Sequence, residues 1–371
     1  MSNVTLNSIP SMSVEKLVGE LTKMYSAVIT GGHPIGCLPS VMLWAAPGTG
    51  KSQAVRQIAR GITEATGKKT AVTDVRLLLF NPIDLRGIPT ANEDKTLAVW
   101  LRPQIFQMDP SPDVVNLLFL DEISAAPQSV QAAAYQITLD RTVGEHRLPD
   151  NCIVIAAGNR VTDRSVAFTM PKALANRLCH IEIVSDERSW HSWAVGAGVN
   201  SLVLAFLDYH PELLMRFDPT ADGVSFPTPR SWEMVSNMLN HVSKSIAEIY
   251  PLIVGCIGED AAYELRAFSE IYSKIPRMAD IFNGSYKEIP TRPEILFALS
   301  AGIATYARMH FRAEEIRNAV EYASHLPTEF RNRIFTDLLK IKEIRALLSE
   351  IRVYDDWFAR SGRYWEDYGV Q

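Results

Sequence analysis

Ala45-Ala46-Pro47-Gly48-Thr49-Gly50-Lys51-Ser52 follows the apolar run Val41–Trp44 and opens the helical stretch Ser52–Thr66. A strand, a Gly-rich turn and a helix start in that order make an anion site. The glycines let successive backbone N–H groups turn toward one anion, and the helix N-terminus adds its positive end. Pro47, Gly48, Thr49 and Gly50 would form the cradle. Lys51 would reach the β and γ phosphates of a nucleotide, and the Ser52 hydroxyl would ligate Mg2+. A solvated lysine on an ordinary turn is the bland alternative, disfavoured because strand, helix and Gly-Lys-Ser all fall in register. The usual pattern has a glycine five residues before Gly50. Here that residue is Ala45, which lacks glycine's freedom at positive φ, so the start of the loop is expected to differ slightly.

Outward from this loop, short apolar runs alternate with helical stretches. Val41–Trp44, Ala71–Phe80, Val114–Leu120, Cys152–Ala157 and His180–Val184 read as strands, with Ser52–Thr66 and Ser129–Leu139 as helices between them. The runs are almost continuously hydrophobic, as in a parallel sheet covered on both faces. The alternation predicts a three-layer αβα domain. Upstream, Val14, Leu17, Val18, Leu21, Met24, Tyr25 and Val28 fall at helical spacing behind Ser13 as N-cap. Past Asp186 the pattern turns helical, divided by Pro227, Pro229, Pro251, Pro276, Pro290, Pro293 and Pro327. Glu329 to about Ile351 reads as one longer helix. The aromatic end, with Trp357, Tyr364, Trp365 and Tyr368, either packs back on the helices or binds a partner.

The 371 residues are 47% hydrophobic and 21% charged, an ordinary soluble composition with ample core for two or three domains. Thirty-seven Lys and Arg against forty-two Asp and Glu leave a net charge of −5, so no global basic field recruits nucleic acid. Cys37, Cys152, Cys179 and Cys256 are scattered without C-x-x-C spacing, which argues against a disulfide framework or structural zinc and fits the cytoplasm. The polar start Met1–Ser13 lacks a signal-peptide pattern, and no apolar run is long enough to span a membrane.

Val114–Leu120 ends in Asp121-Glu122. Ligands of open α/β sheets lie beyond the carboxyl ends of the strands. Asp121 there suits a Mg2+ site, and Glu122 suits the base that polarises an attacking water. A phosphate-transferring kinase would not need Glu in that place, so hydrolysis is favoured over transfer. The run Cys152–Ala157 leads to Gly158-Asn159, whose amide offers a donor and an acceptor to the same water. Arg177, just before the last strand, could reach a neighbouring subunit's γ phosphate; Arg160 and Arg164 are nearby rivals. Thr228 and Pro229 read as N-cap and first residue of a helix, which puts Arg230 in its first turn. A cation is poorly matched to the dipole there, so Arg230 makes better sense beside a bound nucleotide.

Together these residues resemble the AAA+ ATPases, specifically the MoxR-like branch, over roughly Leu38 to Asn237. The phosphate loop, Asp121-Glu122, Asn159 and Arg177 carry the match, and Thr228-Pro229-Arg230 is similar to the branch's lid arginine motif. Asp84-Leu85-Arg86-Gly87 followed by Arg102-Pro103-Gln104-Ile105-Phe106 looks like the branch's hairpin inserted in the second helix and facing a central pore. Thr142–Pro149 is similar to its second hairpin. Ser124-Ala125-Ala126 departs from the Asn-Arg-Ala of many members. The resemblance, which fades after about Pro276, implies an AAA+ αβα core at 1–185 and an all-α lid at 186–310, and the helical spacing beyond it predicts a C-terminal helical extension at 311–371. It implies ATP and Mg2+ as ligands, a ring, often a hexamer, with Arg177 acting across the interface, and protein clients, commonly beside von Willebrand factor A domain proteins. A nucleic-acid motor of a related clade is the alternative, against which Glu93 and Asp94 outnumber Lys95 in the hairpin Ile88–Trp100. A third reading is a nucleotide-gated scaffold without useful turnover.

Overall fold

The computed structural model describes residues 9–160, 170, 175–218, 223–272, 274–308, 310, 312–348, 350–351, 354 and 356–357. The chain divides into two compact units, Met1–Asp186 and Glu187–Gln371.

In the first unit the strands are β1 (Ser11–Met12), β2 (Val41–Trp44), β3 (Lys69–Arg76), β4 (Ile88–Ala91), β5 (Ala98–Leu101), β6 (Val114–Asp121), β7 (Thr142–Val143), β8 (His146–Arg147), β9 (Cys152–Gly158) and β10 (Cys179–Ile183). The helices are α1 (Val14–Thr30), α2 (Lys51–Thr66), α3 (Pro82–Arg86) and α4 (Gln128–Asp140). Six strands form one sheet in the order β1-β10-β2-β9-β6-β3, every neighbouring pair parallel. β2 lies between β9 and β10, while the next sheet strand in the chain, β3, crosses to the far edge. The order therefore reverses at β2, and a crevice at its carboxyl end is the expected binding place.

Period-two alternation explains how the apolar runs serve both faces. Leu43, Phe119 and Ile155 pack with Leu17 and Leu21 of α1 and Ile58 and Ile62 of α2. Their neighbours Met42, Leu118, Leu120 and Val154 pack with Val130, Ala134 and Ile137 of α4. Each such side chain, taken out of water, contributes about 1.5–3 kcal/mol.

The expected strand 71–80 stops at Arg76, and Leu77–Leu79 coil into a 3-10 turn. The reason is the ladder: Arg76 pairs with Asp121, where β6 ends, so nothing remains to pair with. Leu78 and Leu79 are consequently exposed. β1, too short to read as a strand, adds to the edge of β10. β4 and β5 form an antiparallel hairpin, as do β7 and β8. The first hairpin leaves the short helix α3 and returns through a 3-10 turn at Gln104–Phe106, so no longer helix brackets it.

The second unit is helical over its described residues. It comprises α5 (Glu187–Ala197), α6 (Ser201–Tyr209), α7 (Pro229–His241), α8 (Ile246–Ile257), α9 (Glu259–Tyr272), α10 (Met278–Phe282), α11 (Pro293–Ala307), α12 (Ala313–Ser324), α13 (Thr328–Leu339) and α14 (Lys342–Leu348). Phe206, Trp232, Ile253 and Leu265 centre one core cluster, and Ile303, Ile316, Phe335 and Leu338 the other. α11 serves both, with Ala298 and Ala301 in the first and Leu299 and Ile303 in the second.

Two expectations here need correction. Pro251 lies inside α8 instead of dividing two helices. Its missing N–H frees the carbonyl of Ala247, and both residues are exposed, so water takes the place of the lost bond. The single helix expected over 329–351 is two. At the end of α13, Lys340 N–H donates to the Asp337 carbonyl and Ile341 N–H to that of Leu338. This tightening to i→i+3 bonds ends the helix before α14 begins.

Candidate active site

β2 delivers the chain to the phosphate loop. Gly48 has φ 80° and Gly50 φ 96°, left-handed values that L side chains adopt only under strain. Gly50 caps α2, so the helix's first N–H groups open onto the loop. Ala45 is buried, and among the described residues the non-glycine positive-φ positions are Lys95, Glu122 and Arg141. The start of the loop therefore does not need the glycine that the usual pattern has there. Thr49 Oγ1 braces the turn by donating to the Ala46 carbonyl at 2.9 Å. Lys51 Nζ donates to the Ala45 carbonyl at 2.8 Å and to Asn159 Oδ1 at 2.6 Å.

β6 brings Asp121, buried, to the same crevice. Ser52 Oγ donates to Asp121 Oδ2 at 3.3 Å, while Asp121 Oδ1 accepts the Glu122 N–H at 2.9 Å. Glu122 stands at φ 58°, a conformation that costs a non-glycine residue about 1–2 kcal/mol. The strand is broken there in a defined way, since Ile123 N–H returns to the Ala157 carbonyl of β9 at 2.9 Å. Asp74 on β3 is a neighbour that sequence reasoning missed. Burial raises its carboxyl pKa, the negative charge of Asp121 raises it further, and Arg76 and Arg56 oppose both.

β9 ends at Gly158, directly opposite Trp44 of β2. Asn159 therefore arrives beside the lysine, and Lys51, Ser52, Asp121 and Asn159 meet at the carboxyl ends of three adjacent strands. Residues 40–180 match the family described as ATPase family associated with various cellular activities (AAA). This segment belongs to the AAA ATPases. No curated protein matches the chain. Solved structures with a loose likeness include a RuvB mutant from Thermotoga maritima (15% identity over 80% of this chain and 84% of that one, TM-score 0.36). The HORMA:CdnC:Trip13 complex of E. coli is another (15% identity, 68% of this chain and 84% of that one, TM-score 0.35). NtrX from Brucella abortus in complex with ADP is a third (14% identity, 100% and 70%, TM-score 0.35). No described helix is long and apolar enough to cross a membrane.

A second residue of the AAA segment that sequence reasoning missed is Ser124. Its buried Oγ accepts the Asn159 N–H at 2.9 Å. The Ser124 carbonyl in turn accepts from Gln131 Nε2 at 3.3 Å. A Cβ on Gly158 would come within 2.8 Å of the Ser124 hydroxyl and 2.9 Å of Met42 Cε. Asn159 is thus placed by a hydroxyl on one side and a glycine on the other. Ser124→Val should leave the Asn159 N–H unsatisfied and lower stability by about 1–3 kcal/mol. Urea unfolding checks this, and a ΔΔG near zero would mean the hydroxyl anchors nothing.

Within the first unit, Arg177 does not join this cluster. Arg177 is exposed in the turn before β10, whose first residue, Cys179, pairs with Val41 at the start of β2. It therefore stands at the amino-end edge of the sheet, across the strands' length from Lys51. Arg160 forms an ion pair with Glu182, which also accepts from Ser11 Oγ at 2.6 Å. Arg164 lies outside the described residues. In the helical unit, Thr228 Oγ1 accepts from Ser231 N–H at 3.0 Å and Ser231 Oγ from Thr228 N–H at 2.8 Å. This capping box with Pro229 as first helical residue leaves Arg230 exposed in the first turn of α7.

Proposed function

We propose that the chain is a MoxR-like ATPase: copies assemble into a ring, hydrolyse ATP between subunits and use the cycle to remodel or activate a protein partner. The observation that carries this reading is the hydrogen-bonded meeting of Lys51 with Asn159, and of Ser52 with Asp121, at one sheet edge. Lys51, now on a backbone carbonyl and an amide oxygen, is the cation that would hold the β and γ phosphates. The Ser52 hydroxyl beside the Asp121 carboxylate is a pair of hard oxygen donors suited to Mg2+. Bound there, Mg2+ would neutralise charge on the phosphate oxygens.

Glu122 accepts the proton of the attacking water, and Asn159 orients that water through its amide. Arg177 serves the triphosphate of a neighbouring subunit, because the length of the sheet separates it from the site of its own. The ring and the client extend the AAA assignment by the resemblance to MoxR-like proteins, in which von Willebrand factor A domain proteins are common companions.

The test is Lys51→Ala. Loss of one charge-assisted contact to phosphate is worth about 1.5–3 kcal/mol, so affinity for a fluorescent ATP analogue should fall roughly ten- to hundred-fold. Wild-type affinity in this variant rejects the phosphate-loop assignment.

A further inference from the structure

The turn that carries Arg177 is tied to the phosphate-loop strand by a side chain between them. Trp44 is the last residue of β2, immediately before the loop. Its indole Nε1 donates to His180 Nδ1 at 2.9 Å, and the two rings stack at 6.0 Å between centroids and 16° between planes. His180 Nε2 lies 2.7 Å from the carbonyl of Ala175, two residues before Arg177. Indole N–H can only donate. Nδ1 must therefore accept, which fixes His180 as the neutral tautomer with its proton on Nε2, and that proton goes to Ala175. Register explains the reach. His180 pairs with Met42 and Trp44 with Glu182, so Trp44 and His180 are diagonal neighbours on one face of the sheet.

We infer that His180 is a positioning residue for Arg177, holding the arginine turn against the strand that ends in the same subunit's phosphate loop. The inference rests on the proposed action of Arg177 across the subunit interface. An exposed turn must present a guanidinium to a neighbour's γ phosphate with little freedom, since a displacement of about 1 Å in a catalytic group can cost about a hundred-fold in rate. The turn has one carbonyl pinned by a ring that is itself held by Trp44. The same link makes the arginine offered to the neighbour sensitive to the position of the subunit's own phosphate loop.

The role predicts a defect that acts in trans. His180→Phe keeps a ring stacked on Trp44 and removes both nitrogens. Alone, it should bind a fluorescent ATP analogue within about two-fold of wild type and turn over about ten- to a hundred-fold more slowly. Mixed with Glu122→Gln subunits it should regain turnover, because some interfaces then join an intact Glu122 to a well-placed Arg177. Arg177→Ala mixed with Glu122→Gln is the reference. Recovery there but not with His180→Phe overturns the positioning role and leaves the trans arginine standing. Recovery in neither removes the trans arginine, and the positioning role with it. A parallel loss of ATP affinity in His180→Phe also overturns the inference, since it would put the damage in the subunit's own loop. Trp44→Phe, which removes the indole N–H, carries the same measurements if His180→Phe does not fold.

Discussion

Glu122→Gln is expected to hold ATP about as tightly as the wild type while hydrolysing it some 10²–10⁴-fold more slowly, the usual contribution of a general base. The substitution is nearly isosteric, but an amide cannot take the proton of the attacking water. It spares the rest of the site. Asp121 keeps Ser52 through Oδ2, and its Oδ1 still accepts the backbone N–H of residue 122. The left-handed backbone there is set by that bond and by the return of Ile123 to Ala157, neither of which involves the Glu122 carboxylate. Binding and turnover should therefore separate. The measurements are phosphate release at saturating ATP and equilibrium titration of a fluorescent analogue. Unchanged turnover removes Glu122 as the base, and joint loss of binding would place its role in the architecture of the loop.

The parts of this site that could be read in the sequence are those whose chemistry leaves a local trace. Gly48 and Gly50 stand where the backbone is left-handed, and the lysine follows directly in the chain. Asp121 and Asn159 are announced by the apolar runs they terminate, because a strand buried on both faces holds a polar residue inside the sheet only with partners, as Asn116 has in Asp109 and Asn151. Ser124 and His180 leave no such trace. The partner of the Ser124 hydroxyl is the Asn159 N–H, and His180 joins Trp44 to Ala175. Only strand order brings these together, and no spacing in the sequence encodes it. The fold divides in the same way. Apolar periodicity predicts the strands of the covered sheet, but the end of β3 depends on where β6 runs out, and the break after α13 on a local tightening of the backbone. Pro251 misleads because the cost of a proline depends on whether the carbonyl it frees meets water, which is a matter of burial.

The helical unit holds a charge cluster that should govern its response to pH. His191 of α5, buried, lies 2.8 Å through Nδ1 from Asp208 Oδ1 of α6 and 2.8 Å through Nε2 from Asp337 Oδ2 of α13. Lys340 reaches Asp337 Oδ1 at 3.0 Å, and Arg333 pairs with Asp208. Arg333 Nη2 is also 2.9 Å from His191 Nδ1. Both are donors, so the acceptor they share is Asp208. With a carboxylate at each ring nitrogen, His191 is an imidazolium. Burial opposes its charge, but Asp337 and Asp208 outweigh burial and hold its pKa up at about 9 from 6.5. Burial likewise pushes the Asp337 carboxyl up, and His191, with Lys340 and Arg333, overrides it and holds that carboxyl well below its ordinary 3.8.

The sign of the pH effect follows. The raised His191 contributes stability that is complete below pH 6.5 and lost as pH rises through 9. The depressed Asp337 contributes stability that is present above 3.8 and lost in stronger acid. Between pH 6.5 and 9 the wild type should weaken by up to about 1.4 kcal/mol per pH unit from this group, a total near 3 kcal/mol. His191→Gln should lack that slope. It should also be less stable at pH 6 by about 1.5–3 kcal/mol, because each buried carboxylate loses a charge-assisted bond to the imidazolium and keeps only Arg333 or Lys340. Urea unfolding of the full chain at pH 6 and pH 9, followed by tryptophan fluorescence, measures both quantities. If wild type and variant change equally between the two pH values, His191 is not the imidazolium that joins these three helices.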